Sequence, residues 1–330
     1  MSDFHVPSFK ILEINDVEAL SQTIPWSLSD LAIPQAWKSS EGEGITIALL
    51  DTGMAHHDDL NINIDATSVS LVKTEPSPYD FNGHGTASSG IVVCENNNYG
   101  IVGVAPKAKI LSLKVLNRSG GGSNIIIEKA LEYIWKNREK IDIVNMSLGS
   151  RNPLSSYGIE LIKKITDYGI PIVAAAGNKP KDGILYPAKY PEVFAIGAYG
   201  FSTERHLADF SAMGPEIDFA APGMNITTTW LNNQYAVLQG TSFACPFFSG
   251  IIALLLSKNK KENKKLSVQQ IKDILIKNSI DVGEPGKDDK FGYGIINIKS
   301  LFCDFSDPEH PIVRKKTWWE KVKEKFKFKS

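Results

Sequence analysis

Gly44-Ile-Thr-Ile-Ala-Leu-Leu-Asp-Thr-Gly53 is an almost unbroken apolar run that stops on an acid, a hydroxyl and a glycine. A short run without polar–apolar alternation suits a strand covered on both faces, as in a parallel sheet. Further along, Lys109–Leu116, Asp142–Leu148, Ile170–Ala176 and Val193–Ala198 have the same character. Between them, Ile125–Lys136 places Ile126, Ala130, Tyr133 and Ile134 at helical spacing, and Ile159–Tyr168 reads as a second helix. The most apolar helix follows Gly240-Thr241-Ser242 and runs through Leu256. Buried strands alternating with helices predict an α/β fold, a mostly parallel central sheet with helices on both faces. Ligands in such folds meet the carboxyl ends of the strands, where Asp51, Leu148 and Asn178 fall.

Composition bounds the rest. The chain has 330 residues, 42% hydrophobic and 22% charged, with a net charge of -1. Those proportions exclude a disordered, collagenous or coiled-coil protein and allow a full-sized core. No apolar run approaches the ~20 residues that span a bilayer. The start, Met1-Ser2-Asp3-Phe4-His5-Val6-Pro7, lacks the basic and apolar segments of a signal peptide. Three cysteines, Cys94, Cys245 and Cys303, form no Cys-x-x-Cys pair, and together these features predict a reduced, cytoplasmic setting. Basic residues concentrate in Arg314–Ser330, so the remaining body is mildly acidic and a nucleic-acid partner is not expected.

Three segments carry chemistry as a set: Asp51-Thr52-Gly53 after a buried strand, Asn82-Gly83-His84-Gly85-Thr86 entering a helix, and Gly240-Thr241-Ser242-Phe243-Ala244 entering another. A serine hydroxyl needs an adjacent base to act as a nucleophile at neutral pH. An imidazole can supply it, with a buried carboxylate fixing the imidazole's tautomer. Alone, Gly-Thr-Ser is a common helix cap and Asp-Thr-Gly a common turn. Together, in the order Asp51, His84, Ser242, the segments resemble the subtilisin-like serine peptidases, over roughly Gln22–Ser300.

The resemblance implies the subtilisin-like three-layer fold and a serine endopeptidase acting on peptide or protein substrates. It makes Asn178 the oxyanion donor, with the Ser242 N–H as its companion. It places an extended substrate between Gly120-Gly121-Gly122 and Ser147-Leu148-Gly149, with Leu185 at the base of the main specificity pocket, where a small residue is usual. It implies a Ca2+ site formed by the side chains of Gln22, Asp59 and Asn97 and the carbonyls of Glu95, Tyr99 and Ile101, all oxygens as a hard cation requires. A weaker cation site near Ala188, Tyr190, Val193 and Asp218 is also implied. His56-His57 is expected in an exposed turn rather than on zinc.

This chain departs from the family at Ala87, Phe243 and Phe247, next to the catalytic helices. Those changes leave open a catalytically weakened relative that binds peptides or a partner. Residues 1–20 are expected as a short extension, 21–303 as the peptidase domain, and 304–330 as a linker and basic tail. The extension is similar to that of intracellular subtilisins, and Val6-Pro7-Ser8-Phe9 is a loose counterpart of their blocking motif, so it is expected near the cleft. In the tail, Trp318, Val322 and Phe326 form a stripe among lysines. That pattern suits an anionic membrane surface or an acidic partner, or local docking. The sequence leaves the oligomeric state open.

Overall fold

The computed structural model describes residues 3–15, 22–60, 64–201 and 205–302. The proposed tail and both domain boundaries, near residues 20 and 303, lie outside the described residues.

The central sheet has seven parallel strands: β3 (Thr46–Asp51), β4 (Val69–Ser70), β5 (Lys109–Lys114), β7 (Ile143–Met146), β8 (Ile172–Ala175), β9 (Val193–Tyr199) and β10 (Phe219–Pro222), in the order β10-β9-β8-β7-β3-β5-β4. Its two faces explain the unalternating apolar run that ends at Asp51. Ile47 and Leu49 point into one core and Ala48 and Leu50 into the other, so every side chain of the strand centre is apolar.

Helices α3 (His84–Val93) and α6 (Thr241–Lys261) cover the first face, and α4 (Asn124–Lys136) and α5 (Ser156–Tyr168) the second. Nearly all of α3 and most of α6 is buried, so neither needs an amphipathic stripe. Short helices α1 (Trp26–Asp30), α2 (Ile33–Ala36), α7 (Val268–Lys277) and α8 (Ile298–Phe302) close the periphery. Ser267 and Gln270 form a reciprocal capping box that starts α7.

Three small sheets complete the architecture. β1 (Phe4–His5) pairs antiparallel with β6 (Gly121–Gly122), and β13 (Ser279–Ile280) pairs with β14 (Ile295–Ile296). β11 (Ile226–Thr229), β12 (Tyr235–Gln239) and β2 (Lys10–Asn15) form a third, in the order β11-β12-β2. The extension is therefore built into two sheets. Periodicity does not reveal β2, because all six of its side chains are exposed and no face selects for apolar residues.

Candidate active site

Asp51 is the last residue of β3, and its carboxylate is fully buried. Oδ1 accepts from the Thr52 N–H (2.7 Å) and faces His84 Nδ1 (2.8 Å), while Ser88 Oγ donates to Oδ2 (3.2 Å). Because an ionised carboxylate only accepts, Nδ1 carries the proton and Nε2 is left as the base. Ser88 lies one turn beyond His84 on α3, so one helix face serves both bonds to Asp51.

A second carboxylate, missed in the sequence, holds that helix. Buried Asp80 accepts from the N–H groups of Asn82 (2.8 Å), Gly83 (2.9 Å) and Thr86 (2.9 Å), and from the hydroxyls of Thr52 (2.9 Å) and Thr86 (2.8 Å). Thr52 Oγ1 in turn accepts from Gly85 N–H (2.9 Å), tying the end of β3 to the first turn of α3. The signal was available: an acid just ahead of a helix start satisfies its orphan N–H groups. Gly83 has φ +101°, and a Cβ there would lie 2.6 Å from the Trp230 ring, so glycine is required twice over. Lys114 is also fully buried. Its ammonium bonds the Thr52 carbonyl and lies 3.1 Å from the Glu75 carboxylate.

Ser242 occupies the first turn of α6, where its N–H has no acceptor within the helix. Thr241 fixes the neighbouring Asn178. Its N–H (2.8 Å) and hydroxyl (2.7 Å) both donate to Asn178 Oδ1, and its Oγ1 accepts from Gly177 N–H (3.1 Å). With Oδ1 so engaged, Nδ2 must face the cleft. It donates there to the carbonyl of Ser8 (2.9 Å). Ser242 Oγ and His84 Nε2 are both buried and have no hydrogen-bond partner among the described residues.

The cleft holds the extension. His5 exchanges two backbone bonds with Gly149 (3.0 and 2.9 Å), Phe4 and His5 pair with Gly122 and Gly121, and Val6 N–H donates to the Gly120 carbonyl (2.9 Å). Pro7 has no N–H to continue the ladder. Phe4 is fully buried in the core beneath α4. The Phe9 ring lies 5.2 Å from the His84 ring and 5.6 Å from that of Phe243, edge-on to the latter. Phe243 itself tilts over His84 at 5.3 Å. The three glycines and Gly149 thus converge on one extended strand. Ser147 and Leu148 are buried behind it, and the Ser147 hydroxyl accepts from Asn145 (2.9 Å).

Leu185 is buried between the backbones of Gly149 and Gly177. A Cβ at Gly149 would come within 2.7 Å of its side chain, and one at Gly177 within 3.0 Å. The adjoining cavity, about 360 Å³, is lined by Pro7, Ser8, Asn178 and Leu185, with Arg151, Lys179 and Asp182 at its rim. Arg151 and Asp182 form an ion pair there at 2.6 Å. Although the His5 side chain keeps substantial exposure, partial desolvation lowers its imidazole below the usual range, Lys179 and Arg151 add to that, and Asp182 opposes it. Ala87 and Phe247 are fully buried in the same core, on α3 and α6.

At the loop of residues 95–101, the carbonyls of Glu95, Tyr99 (3.3 Å) and Ile101 (3.1 Å) converge on the Gln22 amide nitrogen. Asn97 Oδ1 accepts from Tyr99 N–H (2.9 Å). Asp59 Oδ2 accepts from Ile101 N–H (2.9 Å) and the Tyr235 hydroxyl (2.8 Å), while its buried Oδ1 has no hydrogen-bond partner among the described residues. Burial pushes the Asp59 carboxyl up to about 6, against the bonds from Ile101, Tyr235 and Cys94, with Glu95 adding to the rise. Converging carbonyls and an unsatisfied buried carboxylate oxygen fit a hard cation, toward which the Gln22 amide would turn its oxygen.

His57 corrects the expectation of an exposed turn. It is buried, its Nδ1 accepts from Asp59 N–H (3.1 Å) and its Nε2 lies 3.0 Å from the Gln234 carbonyl. The segment alternates instead, with His56 and Asp58 outward and His57 and Asp59 inward, so the residue two before the buried Asp59 is buried with it. Near the weaker cation position, the Lys272 ammonium lies 2.7 Å from the Asp218 carboxylate and meets its charge.

Residues 42–294 match the profile of the subtilase family, peptidase family S8. A thermostable alkaline protease of Halalkalibacterium halodurans is 40% identical over 253 residues, 76% of this chain and 68% of the relative. Subtilisin Savinase of Lederbergia lenta is 37% identical over 281 residues, 85% of this chain and 99% of the relative. The minor extracellular protease Epr of Bacillus subtilis is 39% identical over 285 residues, 84% of this chain and 42% of the relative.

Proposed function

The chain belongs to the subtilase family and is a subtilisin-like serine endopeptidase, and we propose that it is a latent one whose own residues 4–9 occupy the cleft until they are displaced or removed. The observation that carries this reading is the Ser8 carbonyl on Asn178 Nδ2, at the end of a backbone ladder over Gly120–Gly122 and Gly149. A bound strand held this way excludes any second one.

With the cleft free, Ser242 Oγ bonds to the substrate carbonyl carbon as His84 Nε2 takes its proton. Asp51 holds the tautomer that leaves Nε2 available and stabilises the imidazolium. Negative charge moves to the carbonyl oxygen, which Asn178 Nδ2 and the Ser242 N–H receive. His84 then hands the proton to the leaving amine as the carbon–nitrogen bond breaks. Water enters by the same route in reverse and releases the acyl group. Thr241 and Asp80 act earlier, by aiming Asn178 and the first turn of α3.

A protein beginning at Gln22 should cut a fluorogenic peptide at least ~10-fold faster than the full chain, the equivalent of about 1.4 kcal/mol of docking free energy. Equal rates, with an intact N-terminus by mass spectrometry, would refute latency and leave the peptidase activity standing. Fluorophosphonate labelling, with Ser242→Ala as control, tests the nucleophile separately.

Calcium is the second part of the proposal. Gln22, Asp59, Asn97 and the carbonyls of Glu95, Tyr99 and Ile101 would hold it, and the ion would brace the fold without touching substrate. A chelator should lower the Tm, by mass action on the folded state, and Asp59→Ala should remove most of that sensitivity. Identical melting curves would retire the site. Leu185 supports a preference for small or medium apolar side chains before the cut bond, and Leu185→Gly should admit aromatic ones. An intracellular setting is proposed on cysteine usage, with Cys94 and Cys245 buried as free thiols.

A further inference from the structure

We propose that the edge of β12 now covered by β2 is a docking site for the part of a polypeptide substrate that lies downstream of the cut, taken up as an added antiparallel strand. The inference rests on reading the extension as a mimic of bound substrate. The extension runs over Gly122, Gly121, Gly149 and Gly120, sets the Ser8 carbonyl on Asn178, and continues through Phe9 directly into β2. Any chain crossing the cleft in that direction is delivered to the same edge.

The edge starts beside the nucleophile. β12 ends at Gln239, and Gly240-Thr241-Ser242 follow. Lys10 pairs with Gln239, Ile11 with Leu238, Glu13 with Val237, Ile14 with Ala236 and Asn15 with Tyr235, with an irregularity between Val237 and Leu238. On its other side β12 is already paired with β11, so its free hydrogen-bonding row is the one that β2 fills. All six side chains of β2 are exposed, including Ile11, Leu12 and Ile14, so the strand is held through its backbone. Main-chain pairing accepts any sequence able to extend and donate N–H groups. The substrate class that uses this edge is an unstructured polypeptide reaching about seven residues past the cut, not a short peptide or a chain end.

The test uses the full chain and four fluorogenic peptides that are identical up to two residues past the cut. One ends there, one continues for five more residues, one has those five scrambled, and one has them N-methylated. The fraction of enzyme with an open cleft cancels in ratios of kcat/KM. The long and scrambled peptides should exceed the short one at least ~10-fold, mainly through KM, and the N-methylated peptide should fall back to the short one. Equal values for short and long peptides, or a gain that survives N-methylation, would overturn the docking site. If no peptide is cut, the endopeptidase reading falls with it, an outcome that the short peptide's rate tells apart from loss of the edge alone.

Discussion

Phe4–Val6 and Lys10–Asn15 are two stretches of one extension, held in opposite ways. The first is gripped on two sides, by Gly120–Gly122 and by Gly149, and sinks Phe4 into the core. The second lies on one edge with every side chain in solvent. Upstream of Asn178 the cleft therefore reads side chains; downstream it reads backbone. The difference follows from what lies beneath: Phe4 joins the core that α4 and the central sheet enclose, whereas among the described residues all six side chains of β2 stay exposed.

The most severe way to probe this contrast is to remove the chemistry and keep the grip. Ser242→Ala should lower kcat about 10⁶-fold, a magnitude known from subtilisin itself, while hydrogen exchange still protects residues 4–15. Lost protection in that variant would mean that the catalytic serine, not the ladder, holds the extension. Phe4→Ala comes next. Burial of a phenylalanine side chain is worth about 1.5–3 kcal/mol, so basal activity of the full chain should rise about 10- to 150-fold. An unchanged rate would erase the distinction between the two stretches.

A smaller effect follows from His5. Its docked imidazole is lowered, mainly by partial desolvation of a side chain that stays largely exposed, with Lys179 and Arg151 adding and Asp182 opposing, so the docked segment binds fewer protons than the released one. Docking is then undiminished above the released pKa of about 6.5 and weakens as pH falls through it. The activity ratio of Phe4→Ala to the full chain should shrink between about pH 8 and about pH 5.5, since the catalytic groups are common to both proteins. A flat ratio would remove His5 from the account. Leu12→Ser and Ile14→Ser should change basal activity least, by less than about 2-fold, as exposed substitutions do. A larger change in the same assay would show that β2 is held by its side chains after all.

The framework was legible because burial and chemistry left separate marks. β3 shows no alternation because Ile47 and Ala48 face two different cores, and Asp51, His84 and Ser242 stand at the ends of such elements. The supporting shell was harder to read. Thr241 reaches Asn178 and Ser88 reaches Asp51 between segments far apart in sequence, which no local pattern records, whereas Asp80 leaves a local mark as an acid just ahead of a helix start. Lys114, the last residue of β5, is buried with its charge received by Glu75 and the Thr52 carbonyl, partners that its own segment does not reveal. His57 was misjudged because a polar pair beside acids resembles a solvated turn, whereas its ring is enclosed against Gln234 and Tyr235.

The covalent link between the occupied cleft and its occupant has a kinetic consequence. A tethered segment competes at a fixed effective concentration, commonly millimolar for a short connection, whatever the amount of enzyme present. Diluting the protein therefore cannot relieve the block, and adding more cannot deepen it. Free substrate competes with the tether for the same groups, so the full chain should display a raised apparent KM with kcat intact. Output would stay low while unfolded polypeptide is scarce and rise in proportion as it accumulates, so one continuous strand sets the substrate range over which the enzyme responds.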